Sequence, residues 1–65
     1  MKVGDLIIFK PEHHGERWAD KTAIVLSEHY GDDKKLWLVA HTGDDGVVVT
    51  VAANEDYVYV ISTND

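Results

Sequence analysis

The sequence predicts an all-β fold, a small five-stranded, partly open barrel, and three observations predict it. Five short runs are rich in β-branched and aromatic residues: Leu6 to Lys10, Thr22 to Glu28, Leu36 to His41, Val47 to Ala52 and Tyr57 to Ile61. Glycine and aspartate turn signals bracket the third run, Tyr30-Gly31-Asp32-Asp33 before it and Thr42-Gly43-Asp44-Asp45-Gly46 after it. The longest interval between runs, Glu12 to Lys21, has neither a period of two nor an apolar stripe. It reads as a long loop, with a helix as the weaker reading.

Each element has its own justification. Val3-Gly4-Asp5 is a turn, and the strand that follows ends at Pro11, which cannot donate to a ladder. In the second run Ala23 and Val25 are expected inward, because a narrow barrel needs a small residue where strands cross. The third run is apolar at five consecutive positions, as in a central strand. Alternation then puts Leu36, Leu38 and Ala40 on one face and Trp37 and Val39 on the other, and the first set is assigned inward. Asp45-Gly46 signals a hairpin whose loop is either two residues or the four from Gly43 to Gly46. Val47 to Ala52 is β-branched almost throughout and uncharged, an aggregation hazard guarded by Asp44, Asp45, Glu55 and Asp56. Asn54-Glu55-Asp56 predicts a single 3₁₀ turn before the last strand. The inward residues are expected to be Ile7, Phe9, Ala23, Val25, Leu36, Leu38, Val49, Val51, Val58 and Val60.

Sixty-five residues make one domain, 1–65, which buries only about 60% of the surface its unfolded chain exposes. A core this small rarely supplies more than ~3–5 kcal/mol, and small chains commonly add a disulfide, a metal or a partner subunit. There is no cysteine, which removes the first and fits an intracellular protein. Net charge is −6, with the six basic residues scattered, so phosphate backbones are mostly repelled. No apolar run approaches the roughly 20 residues of a membrane span, and Met1-Lys2-Val3-Gly4-Asp5 lacks a signal-peptide layout. The expected location is the cytoplasm, or a virion if the protein is viral.

The order of elements resembles that of the SH3-like small β-barrels, a group that includes Src-homology-3, Tudor and KOW domains. Three stretches carry the resemblance, which spans nearly the whole chain. Gly4-Asp5-Leu6-Ile7 is similar to the Gly-Asp start of many such barrels. Arg17-Trp18 with Ala23-Ile24-Val25-Leu26 is similar to the Tudor pattern of an aromatic before a small-x-Val strand. Asn54-Glu55-Asp56-Tyr57-Val58 resembles the one-turn helix and Tyr-Val of Src-homology-3 domains. The Ala-Leu-Tyr-Asp-Tyr start and the proline before Tyr57 are missing, so a proline-peptide groove does not carry over. The Asp-Tyr-Gly-Asn element of many Tudor domains is missing too, and with it any methyl-lysine or methyl-arginine cage. In style the chain also resembles short open reading frames of tailed bacteriophages, which often encode stand-alone barrels beginning Val-Gly-Asp-Leu.

No pattern marks an enzyme, a metal site or a cofactor. His13, His14, His29 and His41, with Glu12, Glu16 or Asp32 as oxygen ligands, do not stand at structural-zinc offsets and read as solvated loop histidines. There is no Gly-rich phosphate loop, and Ser27, Thr22 and Thr50 lack a nucleophile motif. Asp32-Asp33 and Asp44-Asp45 read as turn formers rather than acid/base pairs. The aromatics Trp18, Tyr30, Trp37, Tyr57 and Tyr59 exceed what so small a barrel encloses, and they are the candidate surface for a protein partner. Trp37 either belongs to that surface or covers a barrel opening against Tyr57 or Trp18. The expected function is a non-enzymatic protein-interaction module of a small phage protein, either a virion component or an effector that binds a host protein. The alternative is a nucleic-acid-binding module of the KOW or Tudor-like type, using Lys34, Lys35 and Trp37. The surplus aliphatic faces Leu6/Ile8, Ile24/Leu26 and Val39/Val48 favour a homo-oligomer over a monomer shielded by the loop through Trp18.

Overall fold

Alternation along each strand and cross-strand register together decide which side chains share a face, and here they select one side of a single sheet. The computed structural model describes residues 1–10, 21–43 and 45–63. The expected loop from Glu12 through Trp18 lies outside them. The described chain runs β1 (Leu6–Phe9), β2 (Thr22–Ser27), β3 (Leu36–Thr42), β4 (Val48–Asn54), a 3₁₀ turn (Glu55–Tyr57) and β5 (Val58–Ser62). The strands form one antiparallel sheet in the order β4-β3-β2-β1-β5, so β4 and β5 are its two edges and the sheet is not closed. The all-β, partly open architecture and the 3₁₀ turn before the last strand are those the sequence predicts.

The opening turn is held by Asp5, which is buried. Its amide donates to the Lys2 carbonyl at 3.1 Å while its carboxylate accepts from the Lys2 amide at 2.9 Å. Gly4 sits in the left-handed region at φ 93°, where a side chain would be strained. At the other tight turn the Gly46 amide donates to the Gly43 carbonyl at 2.9 Å, and Gly46 has φ 82°. The last ladder pair is Thr42 with Val48, so the β3–β4 connection, 43–47, is five residues and longer than either loop reading.

The core comprises Ile7, Phe9, Ala23, Val25, Trp37, Val39, Ala53 and Val58, with Met1 and Val51 packed against it. For β1 and β2 this is the expected face. For β3 the expectation is reversed: Leu36 and Leu38 are only half-buried, while Trp37 is 5% exposed and Val39 is 0% exposed. Register explains the reversal. Val25 lies opposite Val39 and Ala23 opposite His41, and directly opposed residues of an antiparallel pair project to one side. Once Ala23 and Val25 point inward, the odd-numbered residues of β3 must follow. Val49 and Val60, expected in the core, do face inward opposite His41 and Ile7. Both remain exposed, because each sits on an edge strand of an unclosed sheet.

Candidate interaction site

The 3₁₀ turn is where the first, third and fifth strands are tied together. Asn54 caps it, its side-chain oxygen accepting from the Asp56 amide at 2.9 Å. The Glu55 amide donates to the Lys35 carbonyl at 2.8 Å, and the Lys10 amide donates to the Tyr57 carbonyl at 3.0 Å. Side chains reinforce these backbone ties. The Trp37 indole N–H donates to Glu55 Oε2 at 3.1 Å, Lys35 Nζ lies 2.9 Å from Asp56 Oδ2, and Lys10 Nζ donates to the Asp56 carbonyl at 3.0 Å. The hydrogen bond to Asp56, joined by its charge, raises the Lys35 pKa above the ordinary 10.5.

Lys10 also places its ammonium 4.5 Å from the centre of the Tyr59 ring. A cation over a ring face is attracted by the negative quadrupole there. Tyr57 and Tyr59 are 41% and 52% exposed, so two half-exposed phenols lie at the end of the turn and the start of β5, the second of them under Lys10. The sequence named both tyrosines as candidates but not Lys10, because nothing local marks a strand-end lysine as an aromatic partner.

The other aromatic candidates divide. Trp37, read as facing outward, is buried by the β3 reversal and braces the turn from inside, with the His29 ring 5.5 Å away. Trp37 is therefore a member of the core rather than part of the exposed surface. His29 itself has φ 49° and its Nδ1 donates to the Lys34 carbonyl at 2.9 Å. Tyr30 is exposed in the β2–β3 turn, where its amide donates to the Leu36 carbonyl at 2.7 Å. Trp18 lies outside the described residues. Lys34, Lys35 and Trp37 do not form an exposed stacking platform, since Trp37 is buried and Lys35 is paired with Asp56.

His41 corrects another expectation. It is a buried strand residue rather than a solvated loop histidine. Its Nδ1 lies 3.0 Å from the Thr22 carbonyl oxygen; that oxygen can only accept, so Nδ1 carries the proton. Phe9 meets the ring edge-on at 6.4 Å. The signal was available in its parity with Trp37 and Val39. Beside it, Leu6, Lys21, Thr22, Ile24 and Ala40 help line an open depression of about 260 Å³. Among the described residues no three His, Cys, Asp or Glu side chains converge as metal ligands, and no helix is long and apolar enough to cross a membrane. Comparison with protein-family models, curated proteins and solved structures gives no match.

Proposed function

We propose that this chain is a non-enzymatic protein-interaction module of the SH3-like type, a small phage protein that docks a protein partner on Tyr57, Tyr59 and Lys10. One observation carries the reading: two half-exposed tyrosines stand at the start of β5, beside a lysine that contacts both neighbouring elements. Large amphipathic rings held in place lose little entropy on binding, which is why tyrosine and tryptophan dominate interface hot spots. Trp37 acts from beneath, through Glu55, by fixing the 3₁₀ turn that presents them. The net charge of −6 favours a basic partner through steering.

The test is a pull-down from bacterial lysate, comparing the wild-type chain with a Tyr57→Ala/Tyr59→Ala double variant whose melting is checked first. A partner retained by wild type and lost by the folded variant supports the reading; equal capture by both would refute the site. Mass spectrometry of purified virions separates a particle component, present in fixed stoichiometry, from a soluble effector. A retarded complex in a low-salt gel shift would favour the nucleic-acid alternative instead.

A further inference from the structure

We propose that β4 pairs antiparallel with β4 of a second copy of this chain across a two-fold axis at Thr50. The hydrogen-bond parity of the strand points there. At one end the Gly43 amide donates to the Val47 carbonyl at 2.9 Å; at the other the Glu55 amide donates to the Lys35 carbonyl at 2.8 Å. The register between these ends is continuous, so positions 47, 49, 51, 53 and 55 direct their backbone groups toward β3. Val48, Thr50, Ala52 and Asn54 therefore direct theirs to the opposite side. Among the described residues no strand lies on that side.

An edge of this kind is a template for another strand, and proteins ordinarily blunt it with lysine, proline or a bulge. β4 has none of these: Val47 to Asn54 contains no charge and no proline, the ladder shows no register shift, and Val48 is 61% exposed. A second copy fits, because under a two-fold axis its own outward positions match this parity. On a chain of net charge −6, like-charged surfaces repel, and this strip lets two copies meet without placing acid against acid along the strand. Centring on Thr50 pairs Val48, Thr50 and Ala52 with their counterparts across the axis and sets Asn54 toward the partner's Gly46. Thr50 meets the partner's Thr50, Val48 meets the partner's Ala52, and Val49 meets the partner's Val51, extending the inward valine row across the axis. The pairing is isologous and closes at two copies. A seven-residue edge covers less than the ~800 Å² per partner of a standard interface, so the dimer is weak and its population follows concentration. Asp45 lies toward the partner's Glu55 in this register, so added salt strengthens association.

Sedimentation over two decades of concentration tests this with three variants. Wild type is expected to move from 7.3 kDa toward twice that mass, more readily at higher salt. Thr50→Pro removes only an outward amide and Thr50→Lys sets two ammonium groups face to face, so both are expected to remain monomeric. If the proline variant does not fold, the lysine variant carries the test. Ile24→Lys, exposed on the outer face away from the edge, is expected to dimerise as wild type does. Amide exchange supplies the register: protection at Val48, Thr50 and Ala52 should rise with concentration while Val49, Val51 and Ala53 stay protected throughout. A wild-type monomer at every concentration, a dimer surviving Thr50→Lys, a dimer lost in Ile24→Lys, or protection that does not alternate would each overturn the proposal.

Discussion

The two edges of this sheet are built differently, although both expose valines. β5 is five residues long, is joined to β1 through a register shift beside Leu6, and has Lys10 laid over its Tyr59. β4 is seven residues long, in continuous register with β3, and carries no charge. A bulge and an overlying ammonium both discourage another strand from docking, whereas among the described residues β4 has neither. The difference teaches that exposed aliphatic surface has no single meaning. On β5 it accompanies an aromatic side chain under a lysine; on β4 it accompanies backbone groups that no described strand pairs.

The largest effect expected is on the inward face that both edges share. Val39→Asp places an unpaired carboxylate at a fully buried position opposite Val25 and Val51. Its cost exceeds the ~3–5 kcal/mol a core this small provides, so far-UV circular dichroism should show an unfolded chain. Ile24→Asp, on the exposed outer face, should retain the strand spectrum. If both variants fold, or only the second unfolds, the assignment of faces is wrong, and the description of β4 as an inward-packed edge goes with it.

Proline substitution on β4 comes next in size. Val51→Pro removes an amide directed at β3 and leaves a buried carbonyl without its donor, about 1–3 kcal/mol, whereas Thr50→Pro removes one directed at solvent. Urea unfolding of dilute protein should therefore show a lower midpoint for position 51 than for position 50. Equal midpoints would mean that the parity of the edge has been misread.

Smaller effects probe the β5 side. Trp37→Phe keeps an aromatic in the core but removes the donor to Glu55, a loss of about 1 kcal/mol; Glu55→Gln, whose amide oxygen still accepts, should lose less. Lys10→Met gives up the contacts with Tyr59 and Asp56, about 0.5–1 kcal/mol for an exposed cation over a ring, and should shift the Tyr59 ring resonances. Unchanged resonances would show that Lys10 does not hold that ring in solution.

The smallest effect is the pH response of the exposed Lys35–Asp56 pair. Because folding raises the Lys35 pKa above 10.5, its contribution is complete below that value and declines as pH rises through the higher folded value. Melting in alkaline solution should fall slightly more steeply for wild type than for Lys35→Met. Parallel curves would show the pair to be fully screened.

How much of this was legible beforehand depends on whether the information is local. Strand locations, the 3₁₀ turn with its Asn54 cap and the positive-φ glycine at position 46 all follow from residues within a few positions of one another. The inward face of β2 was legible through the small Ala23, and that of β1 came out as expected although Leu6 and Ile8 make its other face apolar too. β3 was not legible, because Leu36, Trp37, Leu38 and Val39 make both of its faces apolar. Two phases of such a strand differ by one residue of register, and register is a relation between strands. Pairing Val25 with Val39 turned Trp37 and His41 inward, moved Leu36 and Leu38 to the half-covered side, and left Tyr57 and Tyr59 as the exposed aromatics around the turn. Composition and local pattern carried the elements and their order. The faces of a strand apolar on both sides, and a lysine brought from the end of β1 to a tyrosine 49 positions later, came from backbone hydrogen bonds between segments far apart in the chain, whose geometry no local window contains.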